Sequence, residues 1–87
     1  LILQADLFLE QHLTITVLPF TSELVPAPVC RILVEPSPAN GLREISQIMI
    51  DKVISIRRDR IAKPVGHLDD DTMLRVSRAL AVWTGIA

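Results

Sequence analysis

All six prolines fall between positions 19 and 64, and five of them, at 19, 26, 28, 36 and 38, fence off short apolar runs. Proline carries no amide hydrogen and fixes its own φ, so it sits at the edges and ends of strands and fences off the segments between them. "LTITVLPF" (13–20) alternates Leu13, Ile15 and Val17 with Thr14 and Thr16, which is the period of a half-buried strand. A second β-rich run, Val29 to Val34, lies between Pro26 and Pro28 on one side and Pro36, Pro38, Asn40 and Gly41 on the other. From Ile45 to Ile56 the apolar positions fit neither the helical nor the strand period throughout, and two strands meeting near Asp51 account for them best. "RIAKPVG" allows one further short strand, with Pro64 at its edge or end.

The tail behaves differently. In "LDDDTMLRVSRALAVWTGIA", Asp69 can cap a helix, Asp70 and Asp71 suit its positive end, and Gly85 can close it. Leu68 and Met73 have the spacing of a hydrophobic staple. Met73, Val76, Leu80 and Trp83, with Ala79 beside them, form one apolar stripe for a sheet to cover. The expected architecture is therefore mainly β with α: a small SH3-like curled sheet or barrel with a C-terminal amphipathic helix laid across it, residues 1–87 forming a single domain. The opening "LIL" reads as the tail of a strand whose earlier part lies outside the sequence.

A chain of 87 residues supports one core and buries about 60% of its unfolded surface, which leaves a thin stability margin. With two Phe, one Trp and no Tyr, that core is aliphatic, and pairing with a second copy is an ordinary way to cover leftover apolar surface. A net charge of −1 excludes the broad positive field of a nonspecific nucleic-acid binder. Yet Arg43 to Lys63 holds six bases against three acids, a local +3 against −4 elsewhere. A single cysteine, Cys30, excludes an internal disulfide and a thiolate metal cluster, and implies a reducing compartment, the cytoplasm. No apolar run reaches the roughly 18 residues that would span a bilayer, so no membrane is expected among the partners.

Taken in order, the strand ending "LPFTSE", the proline-fenced strand, "SQIMIDKVISIRRDRI" and the closing "LDDDTMLRVSRALAVWTG" resemble the MazF/PemK (Kid) family of toxin endoribonucleases, whose fold is shared with the gyrase poison CcdB. The resemblance runs from Leu1 to the end, strongest in those last two segments and weakest at 5–12 and 35–44. It implies a catalytic hydroxyl at Thr21 and a catalytic acid at Asp51. The family's "Asp-Gln" pair reads Asp51-Lys52 here, and the arginine some members carry two positions before the acid is Met49. The family's catalytic arginine belongs to a segment before Leu1, and no residue of this sequence takes its role.

Metal-free RNA cleavage needs a base for the 2′-hydroxyl, a donor for the leaving 5′-oxygen, and charge or hydrogen bonds for the phosphorane. Thr21 suits a bond to the scissile phosphate, and Ser22, Lys52, Arg57, Arg58 and Arg60 are the candidate RNA contacts, guanidinium being the natural phosphate ligand. The plainer expectations stand beside these: a turn residue for Thr21, an ion pair with Lys52 or a nearby Arg for Asp51, and a solvated strand end for the arginines. His12 is read as a surface residue, Cys30 as a small core residue and Trp83 as part of the helix stripe. The aspartates beside His67 are accounted for by capping, so no metal and no cofactor is expected.

The resemblance implies a sequence-specific, metal-independent endoribonuclease toxin that cleaves single-stranded RNA, forms a homodimer and is held inactive by a cognate, MazE-like antitoxin. An acidic, partly disordered antitoxin segment is expected to compete with RNA for the +3 segment. The alternatives are a CcdB-like, non-enzymatic inhibitor of DNA gyrase, to which the ending "WTGIA" bears some likeness, and an inactive structural or RNA-binding module.

Overall fold

A computed structural model describes residues 1–3, 13–27, 29–61 and 65–85. Among the described residues, five short strands precede one α-helix: β1 (Thr14–Val17), β2 (Phe20–Thr21), β3 (Arg31–Val34), β4 (Ser46–Met49), β5 (Ile54–Arg57) and α1 (Asp70–Thr84). They form two antiparallel sheets, one of β1 with β5 and one in the order β2-β4-β3. Leu1–Leu3 run antiparallel to β1, with an Ile2–Val17 bridge and Leu3 N–H donating to Thr16 O at 3.0 Å. The expected mainly β chain closed by one helix is what forms.

The run 45–56 does divide at Asp51. β4 ends at Met49, a 3-10 turn spans Ile50–Lys52, and β5 follows. The two halves do not pair with each other: β4 is the centre of the three-stranded sheet, whereas β5 joins β1. The turn is thus the link that hands the chain from one sheet to the other.

Strand alternation decides what is buried. Phe20, Ile48 and Ile32 lie opposite one another in register and face the core, which gathers Leu18, Ile32, Val34, Ile48, Ile50 and Val76. Ile48, Ile50 and Val76 have no exposed surface at all. Val76 brings α1 onto this sheet, with Ala79 and Leu80 packed beside it. Asp69 accepts from Thr72 N–H at 3.1 Å and Thr72 Oγ1–H at 2.6 Å, and these bonds hold its carboxyl below the usual carboxylate pKa. Gly85 closes α1 with φ +77°, a left-handed conformation that suits glycine. No helix among the described residues is long and apolar enough to cross a membrane.

Four details depart from expectation. The strand expected over 13–20 breaks at Leu18-Pro19, where proline offers no N–H and the Leu18 side chain turns into the core. β3 begins only at Arg31, because Ala27 O accepts the N–H groups of both Cys30 and Arg31 and closes a turn ahead of it. Of the strand expected in "RIAKPVG", Arg60 instead closes a 3-10 turn (Arg58–Arg60), Ile61, Val65 and Gly66 are in no strand, and 62–64 lie outside the described residues. Trp83 is half-exposed, the buried contact of α1 being centred two turns earlier on Val76. Cys30 is half-buried against the core, as expected, though from the turn and not from the strand. His12 lies outside the described residues.

Candidate active site

The sheet face turned away from the core carries the polar residues. Thr21 pairs with Gln47 and Gln47 with Leu33, so one row, Thr21–Gln47–Leu33, crosses all three strands on a single face. Two residues along β4 the next row on that face pairs Met49 with Arg31. Thr21 is half-buried, and its Oγ1 accepts the Glu23 N–H at 3.1 Å, which leaves the hydroxyl hydrogen to donate elsewhere. Ser22 follows it, exposed.

Gln47 is only 8% exposed and makes a two-point clamp: its Oε1 accepts Val25 N–H at 3.0 Å and its Nε2 donates to Val25 O at 2.8 Å. The side chain thus pairs with Val25 as a neighbouring strand would, and fastens the segment around Val25 to the centre of the sheet. Sequence reasoning passed over Gln47. The available signal was a lone amide in the apolar run "SQIMI", where a buried side chain must find backbone partners.

Asp51 sits in the 3-10 turn, its Oδ1 3.3 Å from Arg31 Nε, with both side chains largely buried at 15% and 21% exposure. Neither of those two atoms makes a directed hydrogen bond, so the contact is one of charge. Arg31 was also missed, although a basic residue alternating with Cys30 and Ile32 in a short strand marks the outward face. The ion pair with a nearby arginine is therefore present, and Lys52, which is exposed, is not the partner.

The structure does not bring Thr21 and Asp51 into contact. Thr21 opposes Gln47 within β4, whereas Asp51 lies past the end of that strand, in the 3-10 turn, and pairs with Arg31. The arginines stand further on, along the other sheet. Arg57 ends β5 opposite Thr14 and pairs with Asp59 at 2.7 Å, both well exposed. Arg58 is half-buried, with its backbone N–H on Leu13 O at 2.8 Å, and Arg60 is exposed.

Two clefts mark the surface. One of about 290 Å³ is lined by Val25, Pro26, Ala27, Arg31, Leu33, Gln47 and Arg75, and so shares the outer face with Thr21. A larger one, about 580 Å³ and mainly apolar, runs past Phe20, Leu42, Ile61, Val65 and Met73 and includes none of the candidate site residues. Among the described residues no three of His, Cys, Asp and Glu converge in a way that could hold a metal ion.

A family model described as PemK-like, MazF-like toxin of type II toxin-antitoxin system matches residues 1–84. The chain is 45% identical over 87 residues to a probable endoribonuclease MazF of Mycolicibacterium smegmatis (strain ATCC 700084 / mc(2)155), a match spanning 100% of this chain and 79% of that protein. Among solved structures, the Mycobacterium tuberculosis toxin MazF-mt6 superposes with a TM-score of 0.86 at 20% identity, over 98% of this chain and 83% of that one. A mycobacterial endoribonuclease in complex with its cognate antitoxin gives 0.80 at 18% identity, over 100% of this chain and 80% of that one. At these identities the structural likeness speaks for the fold.

Proposed function

The chain belongs to the PemK-like, MazF-like toxin family of type II toxin-antitoxin systems, and on that premise we propose that it is a sequence-specific, metal-independent endoribonuclease acting on single-stranded RNA. The observation that carries this reading is its likeness, over its whole length, to a protein named a probable endoribonuclease. The geometry supports it with a hydroxyl, that of Thr21, half-buried on the outer sheet face and with a hydrogen left to donate.

Without a metal-bound water, the nucleophile is the RNA's own 2′-hydroxyl. Its oxygen attacks the adjacent phosphorus, the P–O5′ bond breaks, the 2′ proton passes to a base and the leaving 5′-oxygen gains a proton. The products are a 2′,3′-cyclic phosphate and a 5′-hydroxyl. Thr21 donates to a non-bridging oxygen whose charge grows in the phosphorane, a role in which one hydrogen bond counts for more in the transition state than in the ground state. Asp51 enters through Arg31, whose position it fixes. Lys52, Arg57, Arg58 and Arg60, with Ser22 beside Thr21, supply the RNA contacts, the arginines by their fit to phosphate.

The same proposal includes a homodimer, favoured by the exposed apolar Leu74, Val82 and Trp83 of α1, and a MazE-like antitoxin whose acidic segment competes with RNA for the basic stretch from Arg43. It places the protein in the cytoplasm, where its substrate is. Incubation with mixed-sequence RNA, with and without EDTA, is the test. Cleavage that survives EDTA is expected; cleavage abolished by EDTA contradicts metal independence, and intact RNA alongside inhibited gyrase selects the CcdB-like alternative.

A further inference from the structure

The smaller cleft has three properties that belong together. It opens on the Thr21 face, because its floor is the Gln47–Leu33 part of the row that starts at Thr21. Two guanidinium side chains line it, Arg31 from β3 and Arg75 from α1, and no carboxylate does. Its remaining walls are Val25, Pro26, Ala27 and Leu33, which are apolar, and Leu33 is 44% exposed there although it sits in a strand.

Each side chain is held or free in a way that suits a ligand. Gln47 spends its amide on Val25, so it fixes the wall and offers little to a guest. Asp51 anchors Arg31 by charge at Nε, which positions that guanidinium before any ligand arrives. Arg75 is exposed on α1 and makes no ion pair among the described residues. One guanidinium held in place by Asp51 and one free to swing in, beside an apolar wall, match a phosphate with a base attached, and at about 290 Å³ the space is near the lower end for small-ligand sites, enough for one nucleotide unit.

We propose that this cleft is a nucleotide subsite of the RNA path, in which Arg31 and Arg75 hold a backbone phosphate and Val25, Pro26 and Leu33 form the wall for the attached base. It rests on the endoribonuclease reading of the Thr21 face and extends it across the sheet. Leu33 lies two strand spacings from Thr21, on the order of 10 Å at about 4.8 Å each, so a strand bound at Thr21 and crossing β4 reaches the cleft. That continuity favours RNA over an acidic peptide as the occupant.

The test uses the full chain, with Arg75→Ala and Leu33→Glu as variants, since both positions are exposed and neither fills the core; circular dichroism confirms that they fold. The probe is a 2′-O-methyl oligonucleotide of a sequence that the wild type cleaves, followed by fluorescence anisotropy across a salt series. Arg75→Ala is expected to weaken binding several-fold and to flatten the salt slope by about 0.7, one phosphate contact on a single strand. Leu33→Glu is expected to weaken binding further, and KM for the cleavable RNA to rise in parallel. Unchanged affinity and slope in both variants, with RNA still cleaved, overturn the subsite and leave the endoribonuclease reading standing. Variants that bind RNA normally but lose an acidic antitoxin peptide overturn it as well, assigning the cleft to the peptide. A wild type that neither binds nor cleaves RNA overturns both.

Discussion

The two sheets share one chain segment and treat it oppositely. β4, the centre of the three-stranded sheet, and the turn that follows it put Ile48 and Ile50 at zero exposure, whereas β5, a few residues later, leaves Ile54 49% exposed and ends in exposed Arg57. Of the β1–β5 sheet only Ile15 is buried. The residues of the proposed catalytic face, Thr21, Gln47 and the Arg31–Asp51 pair, stand on or beside the well-packed sheet. Arg57, proposed as a phosphate contact, stands on the lightly packed one. A hydrogen bond aimed at a developing charge gains from a rigid base, while an attraction to phosphate tolerates a mobile one.

The largest expected effect tests that difference in packing. Ile50→Ala, which empties a fully buried site, is expected to cost about 2–5 kcal/mol in a urea titration, a large share of the ~5–15 kcal/mol available to a domain. Ile54→Ala, at a half-exposed position, is expected to cost about 1 kcal/mol or less. Equal losses would erase the contrast between the sheets.

The ion pairs sharpen it. Arg31→Ala should cost about 2 kcal/mol, between the ~0–1 kcal/mol of surface pairs and the ~3–5 kcal/mol of fully buried ones, because its pair with Asp51 is largely shielded. Arg57→Ala, whose pair with Asp59 is well exposed, should cost under about 1 kcal/mol and lose that little in high salt. Double-mutant cycles with Asp51→Asn and Asp59→Asn measure both couplings. A larger coupling for Arg57–Asp59 would reverse the assignment.

The smallest effect concerns the helix that braces the packed sheet. The Asp69 carboxyl is held below its usual pKa by the Thr72 bonds, so its capping contribution is present in full above the unfolded pKa and is lost as pH falls through the lowered folded value. Asp69→Ala should therefore melt earlier than the wild type at neutral pH and converge with it in acid, read by thermal unfolding. A gap that persists in acid would mean that the cap acts through something other than the ionised carboxylate.

Much of this was legible from local chemistry. Asp69 and Gly85 mark the ends of α1 because capping depends on residues within one turn of each other, and Asp51 marks the break between β4 and β5 because a charge interrupts an apolar run there. What was hidden depended on distance in sequence. That β4 and β5 belong to different sheets is decided by pairing with residues some thirty to forty positions away, which no local pattern encodes. Arg31 was hidden for the same reason, its partner Asp51 being twenty residues on, and Gln47 because its partners are the backbone groups of Val25. Thr21 and Asp51 were named together through the resemblance, and only the register showed Thr21 opposite Gln47 in β4 while Asp51 lies in the turn beyond that strand.

The central claim is that the Thr21 hydroxyl assists attack by the RNA's own 2′-oxygen. The direct measurement is single-turnover cleavage in EDTA of an oligonucleotide that the wild type cuts, by wild type and Thr21→Ala, with product ends identified by mass spectrometry and with a 2′-deoxy substitution at the cut position as control. A 2′,3′-cyclic phosphate and a 5′-hydroxyl are expected, with no cutting of the 2′-deoxy substrate and a rate lower by about a hundredfold or more in Thr21→Ala. The variant should fold normally, its lost bond to Glu23 N–H being worth only about 1 kcal/mol. A Thr21→Ala protein that cuts at the wild-type rate, or products ending in a 5′-phosphate, would contradict it.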